Sequence, residues 1–393
     1  MQSPQANARK LAQSGIDAQR RGNAQAARSA FESVVASGKA DAAIHLALAQ
    51  ACRSLKDGPA SLVAVEKALE LEPRNLRALI FKADYLAGIG DARAASAFYL
   101  GAVQAAPAAS QLPAELRGEV NRAQAMCAHY AAQFEEFLRD RLAALPAADS
   151  SRTGRFAQSL DILFGKKKVY FQEPRYYFFP ELPQIQFYQR SEFPWLDRVE
   201  AATDAIREEL AGVMREQTAF KPYVERVPNQ PHRDQNGMLE NPDWSAFYLW
   251  KNGEIVPENA ARCPRTLAAL EDAPISRVKN RSPSILFSQL RPHAHIPPHS
   301  GMVNTRLICH LPLIVPAHCR FRVGNDTRAV EAGKAWVFDD TMEHEAWNDS
   351  NETRVILLFE IWRPELTLEE REQVCAMFEA IDTHSGEKPR WEI

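Results

Sequence analysis

The sequence predicts an α+β protein of two domains. A solenoid of helical repeats is expected over residues 1–150, and a β-rich jelly-roll barrel with flanking helices over 181–393, joined by a linker at 151–180. Three observations carry this reading. The chain has 393 residues, long enough for two or three domains of roughly 150 residues. Its first 145 residues are dominated by Ala and Leu, with Gly and Pro only at intervals, a helical composition. From Ser284 onward the pattern changes to short apolar runs broken by turn residues, which suggests many short strands closing into a sandwich or barrel.

Bulk properties remove several function classes. With 46% hydrophobic and 25% charged residues, the chain is globular rather than disordered or fibrous. A net charge of −3 offers no basic domain for gripping nucleic acid. No run approaches the roughly 18–20 apolar residues that span a bilayer, and MQSPQANARKLAQSG lacks the apolar core of a secretory signal. Six scattered cysteines without a C-x-x-C pair fit free thiols in a reducing cytoplasm better than disulfides or a Cys-ligated zinc.

The helical half repeats. Pro73 and Pro107 lie 34 residues apart, each closing an apolar helix. A 34-residue frame laid backward aligns three columns: Ala27, Ser61 and Ala95; Phe31, Val65 and Tyr99; Val34, Ala68 and Ala102. Small residues in the first and third columns let paired helices approach, and the bulky second column fills the groove. Gly15 sits inside the first unit, and Gly22, Gly58 and Gly90 mark turns. On these residues the stretch from Ala8 to Pro107 resembles about three tetratricopeptide repeats. That resemblance implies a face for a peptide or protein partner. One or two further helices are expected over 108–150, and LPAADSSRTGR (145–155) reads as a flexible joint. Lys166, Lys167 and Lys168 read as a solvated face.

Aromatics and prolines cluster in YFQEPRYYFFPELP, after Tyr170. One more helix is expected in PWLDRVEAATDAIREELAGV, with Trp195, Val199, Ala202, Ile206, Leu210 and Val213 on a single face. Strands follow in ILFSQL, NTRLICHLPLIV, CRFRV, TRAVEA, KAWVFDD, HEAWN and TRVILLFEIW. Trp195, Trp244, Phe247 and Trp250 are expected in the core.

Six of the ten histidines fall between 293 and 344. Iron(II) oxygenases commonly hold the metal by two His and a carboxylate, leaving positions open for cosubstrate and dioxygen. His299 and His344 are 45 residues apart and Arg354 follows ten later, the spacing by which a jelly roll brings two ligands and a cosubstrate-binding base together. His293, His295 and His299 form a rival set, an H-x-H cupin triad for zinc or manganese. His45, His129, His232, His318 and His384 read as structural or surface. Asp339, Asp340 and Glu343 are expected to shape the turn before His344 or to hydrogen-bond around it.

The segments PHSGMVNTRLICHLPLIVP and CRFRVGNDTRAVEAGKAWVFDDTMEHEAWNDSNETRVILLFEIWRPEL resemble the aspartyl/asparaginyl β-hydroxylase family. The likeness is strong over 284–366 and fainter over 185–283. It implies a double-stranded β-helix and iron(II)- and 2-oxoglutarate-dependent hydroxylation, with succinate and CO2 as coproducts. Residue by residue, it implies iron on His299 and His344, the distal carboxylate of 2-oxoglutarate on Arg354 and Ser288, and His310 near the chelating end. Two positions stand out. Ile308 replaces an Arg carried by members with animal substrates, leaving Arg306, two residues back on the same strand face, as a candidate substrate contact. Gly301 stands where most such oxygenases have Asp or Glu, so water or a nearby carboxylate is expected at the third position.

The leading expectation is therefore hydroxylation of a carbon centre, such as the β-carbon of Asp or Asn in a peptide presented by the repeats. The alternatives are a peptide-binding adaptor with a silent oxygenase domain, and a metal cupin that needs no 2-oxoglutarate.

Overall fold

A computed structural model describes residues 4–143, 150–216, 218–226 and 237–385. It divides into two compact units, 1–160 and 161–393.

In the first unit, helices α1 (Pro4–Arg20) to α6 pair as successive hairpins. The others are α2 (Ala24–Ala36), α3 (Ala42–Ser54), α4 (Gly58–Leu71), α5 (Leu76–Gly88) and α6 (Ala92–Ala105), followed by the long α7 (Ala114–Ala143). All nine residues of the three repeat columns are buried. Gly15 is required by close approach, because any Cβ there would enter the Phe31 ring. Asn23, Asp57 and Asp91 cap α2, α4 and α6, and Asp41 and Asn75 cap α3 and α5. Each accepts the backbone N–H three residues on, worth about 1 kcal/mol apiece. These caps recur in the same 34-residue frame as the apolar columns. One turn differs from expectation: positive φ falls on Gly22, Lys56 and Gly90, whereas Gly58 already begins α4. The helical half is thus a tetratricopeptide-like repeat array.

The expected linker at 151–180 is structured instead. Helix α8 occupies Ser150–Leu163, and from Gln172 the chain is strapped to the second unit, since Glu173, Arg175 and Tyr176 donate backbone N–H groups to Thr341, Gly301 and Met302. The first residues of the expected joint, 145–149, lie outside the described residues.

The helix expected at 194–213 is split. Helices α9 (Leu196–Ala201) and α10 (Thr203–Met214) meet at Ala202, where the Thr203 hydroxyl bonds the Glu200 carbonyl. Leu196, Val199, Ile206, Leu210 and Val213 still share one core, so the break re-aims the face without losing it. Then come β1 (Lys221–Pro222), β2 (Trp244–Lys251), β3 (Glu254–Ile255), the short helices α11 (Pro257–Ala260) and α12 (Pro264–Ala269), and eight further strands. These are β4 (Ile285–Leu290), β5 (His295–His299), β6 (Arg306–Ile314), β7 (Cys319–Val323), β8 (Asp326–Ala329), β9 (Trp336–Phe338), β10 (His344–Asn348) and β11 (Arg354–Trp362); α13 (Leu368–Ser385) follows.

The strands form two antiparallel sheets, one ordered β1-β2-β4-β11-β6-β9 with β3 on β2, the other β5-β10-β7-β8. From β4 onward, consecutive strands weave between the sheets as in a jelly roll, except for the β7–β8 hairpin within the smaller sheet. Alternation divides the larger sheet's faces. Val355, Leu357, Phe359 and Ile361 of β11, with Leu307, Cys309 and Leu311 of β6, pack under α9 and α10. Arg354, Ile356, Leu358 and Glu360, with Arg306, Ile308 and His310, face the smaller sheet across a cavity.

Candidate metal centre

Strand β10 lies between β5 and β7, and its register sets His344 directly opposite His299. The two rings are 4.0 Å apart, centroid to centroid. Each Nδ1 bonds the carbonyl two residues before it, Pro297 at 2.8 Å and Met342 at 3.0 Å. Nδ1 is therefore the protonated nitrogen in each ring, and Nε2 keeps its lone pair. Burial drives both imidazoles toward the neutral form, His299 to about 4 and His344 well below the ordinary value, with His299 itself a second cause for His344. Among the described residues no third His, Cys, Asp or Glu completes a ligand set.

The rival H-x-H triad does not assemble. His293 bonds Asn351, while His295 bonds Glu345 and stacks on Trp347. Neither lines the cavity, and His232 lies outside the described residues.

Ser288, Arg306, His310 and Arg354 line the same cavity as the histidine pair. Arg354 is out of electrostatic balance. It is buried, its Nε and Nη1 have no partner, and burial pulls it down to about 10. His310 is neutral as well, from burial first and the neighbouring Arg354 second, and its Nδ1 is unpartnered. Buried polar groups without partners are costly, so this end of the cavity is built for an anion it can enclose. The Trp244 indole, expected simply as core, donates to the Ser288 hydroxyl at 3.2 Å and stacks on Tyr223 at 4.0 Å. Trp244 thus fixes the hydroxyl that faces the anion site.

At the other end, Arg306 is engaged. Its guanidinium pairs with Glu360 and lies 3.4 Å from Asp340. Ile308 sits beside it, cross-strand from Glu360 and Phe338. Asp340 also explains Gly301: any Cβ at 301 would overlap its carboxylate. Asp340 therefore occupies the place that a side chain at 301 would take, with Oδ1 buried and unpartnered. Burial pushes this acid up to about 7 against the pull of Arg306. Sequence reasoning placed Asp340 in the turn, and Glu360 and Tyr223 went unremarked; the alternation of β11, which puts Glu360 on the face of Arg354, could have found Glu360.

The residues present fit a ferrous ion and a dicarboxylate. Two neutral imidazoles offer nitrogen lone pairs to the metal, and an uncompensated guanidinium with a tethered hydroxyl awaits a carboxylate.

Residues 200–364 match the family model for aspartyl/asparaginyl beta-hydroxylase. That stretch is similar to the aspartyl/asparaginyl β-hydroxylases. The human aspartyl/asparaginyl beta-hydroxylase is 39% identical over 146 residues, 37% of this chain and 19% of that protein. The Rhizobium tropici ornithine lipid ester-linked acyl 2-hydroxylase is 33% identical over 180 residues, 45% of this chain and 60% of that protein. The chain thus spans about a fifth of the human relative and three-fifths of the bacterial one. Outside the matched stretch, the repeat array is similar to the TPR2B domain of yeast Sti1 in its pHsp70 complex. That match has 18% identity and a TM-score of 0.29, and covers 33% of this chain and 98% of that one. No described helix is long and apolar enough to cross a membrane.

Proposed function

We propose that this chain is an iron(II)- and 2-oxoglutarate-dependent dioxygenase that hydroxylates a carbon centre. The observation that carries this reading is Arg354, an unpaired guanidinium buried in the cavity that the neutral His299–His344 pair also lines. A metal cupin without a dicarboxylate cosubstrate has no use for so costly a charge.

When bound, ferrous iron and 2-oxoglutarate supply dioxygen activation and oxidation of an unactivated C–H bond, with succinate and CO2 as coproducts. The chain's own residues do the rest. His299 and His344 hold the metal through Nε2, their rings oriented by backbone carbonyls. Arg354 grips the distal carboxylate of the cosubstrate with charge-assisted hydrogen bonds, and Ser288, aimed by Trp244, adds another. His310, neutral beside Arg354, gives a hydrogen bond nearer the 2-oxo end without competing for the anion. Phe321, Phe338, Ile356 and Leu358 line the walls and exclude water. Asp340 fills the space beside Gly301, which has no side chain of its own to offer a metal.

The substrate we favour is a peptide held by the repeats, hydroxylated at the β-carbon of Asp or Asn. A second reading, hydroxylation of an acyl chain, draws on Ile308 and on the engagement of Arg306 by two carboxylates. It is also supported by the acyl 2-hydroxylase among the relatives.

The test is succinate release by the full chain supplied with iron(II), 2-oxoglutarate and a cell lysate, with mass spectrometry for products heavier by one oxygen atom. His344→Ala is expected to lower succinate release on the order of 1,000-fold with the fold intact. Equal release by wild type and variant would sink the enzyme reading and leave the adaptor. Metal retention after Arg354→Ala with no effect of 2-oxoglutarate on either protein would leave the cupin.

A further inference from the structure

His299 closes β5 and His344 opens β10, and a buried amide joins the loops that adjoin them. Asn304 lies five residues after His299, and Asp339 five before His344; both are buried. Gln172, also buried, reaches each with one end of its amide: Nε2 donates to Asp339 Oδ2 at 2.7 Å, and Oε1 accepts from Asn304 Nδ2 at 2.9 Å. Both of these partners are tied further. Asp339 also takes hydrogen bonds from Arg363 at 2.9 Å and from the Thr341 backbone and hydroxyl at 3.0 and 2.6 Å. Asn304 closes a reciprocal pair with the backbone of Phe179, its Oδ1 taking that N–H at 2.7 Å and its Nδ2 reaching that carbonyl at 2.8 Å. The backbone around Gln172 repeats the tie, since Glu173 donates to Thr341 and Arg175 to Gly301.

Gln172, Glu173, Arg175 and Phe179 all precede the matched 200–364 stretch, to which their partners belong. We propose that Gln172 is a positioning residue for the metal centre, its amide setting the spacing of the loops that present His299 and His344. Both loops could fold without it, because Arg363 also reaches both, through the Asp339 carboxylate and the Asn304 carbonyl. What Gln172 adds is a link between the Asn304 and Asp339 side chains themselves, in a buried network where one lost partner leaves a costly orphan. The inference rests on the metal-dependent reading above.

The test uses the full chain and cobalt(II) as the probe, followed by its visible absorption, which reports ligand geometry without turnover. Gln172→Met keeps length and volume but loses the amide's hydrogen bonds to Asp339, Asn304 and the Pro183 carbonyl. It is expected to weaken cobalt(II) binding about 10–100-fold, the range for residues that orient metal ligands, and to shift the absorption bands, while thermal unfolding of the helical unit is unchanged. Wild-type affinity and an unchanged spectrum would overturn the proposal. Should the variant fail to fold, hydrogen exchange on the wild type decides: cobalt(II) is expected to slow the amides of Glu173, Arg175 and Tyr176 together with those of 339–344. Protection confined to 339–344 would overturn it. A wild type that binds no cobalt(II) instead removes the metal reading on which the proposal stands.

Discussion

The two units hold themselves together over different distances along the chain. In the helical unit the starts of α2 to α6 are each tied three residues away, as Asp91 is to Ala94, and the repeat columns pack into clusters of neighbouring helices. In the β-unit the decisive bonds join residues far apart, Gln172 to Asp339 across 167 positions and Glu360 to Arg306 across 54. The difference teaches where damage should travel. Nearest-neighbour repeats confine a defect, whereas the β-unit's network delivers one to the histidine pair.

Phe31→Ala offers the strongest way to break this contrast. It removes a fully buried ring from the first repeat and is expected to cost about 3–5 kcal/mol. Chemical denaturation should show the loss in the helical transition alone, with the affinity for 2-oxoglutarate unchanged; an altered affinity would dissolve the contrast. Arg354→Met sharpens it from the other side. With no anion bound, removal of an unpaired buried charge should stabilise the β-unit by about 1–3 kcal/mol, while 2-oxoglutarate binding falls on the order of 100-fold. Calorimetric melts with and without the cosubstrate read both, and a destabilised ligand-free variant would contradict the charge argument. The smallest effect is expected for Asp91→Ala, which removes one cap for about 1 kcal/mol, visible as a small shift in the helical melt.

Much of the helical unit is written locally and is therefore readable. The three apolar columns repeat in the sequence, and so do the caps at 23, 57 and 91, a signal as regular as the columns though less conspicuous. In the β-unit the meeting of the histidine pair and Arg354 in one cavity is legible because their spacing along the chain follows strand lengths. Strand β5 was not, because Pro297 and Pro298 argue against a strand; it is tolerated because β5 is an edge. Gln172 leaves no trace of its role in any local pattern, since its partners lie 132 and 167 residues away. Asp340 reads as a turn residue until Gly301 shows what fills the empty side-chain position.

Edge strand β5 has a consequence of its own. Two of its five residues lack an amide hydrogen, so the backbone can do little to fasten this margin of the sheet to β10. His299 stands at the end of that weakly stitched margin, facing its partner. An ion shared by the two rings would act as a clasp on the seam, and stripping it with a chelator would let the margin peel while the strands behind it stayed in place.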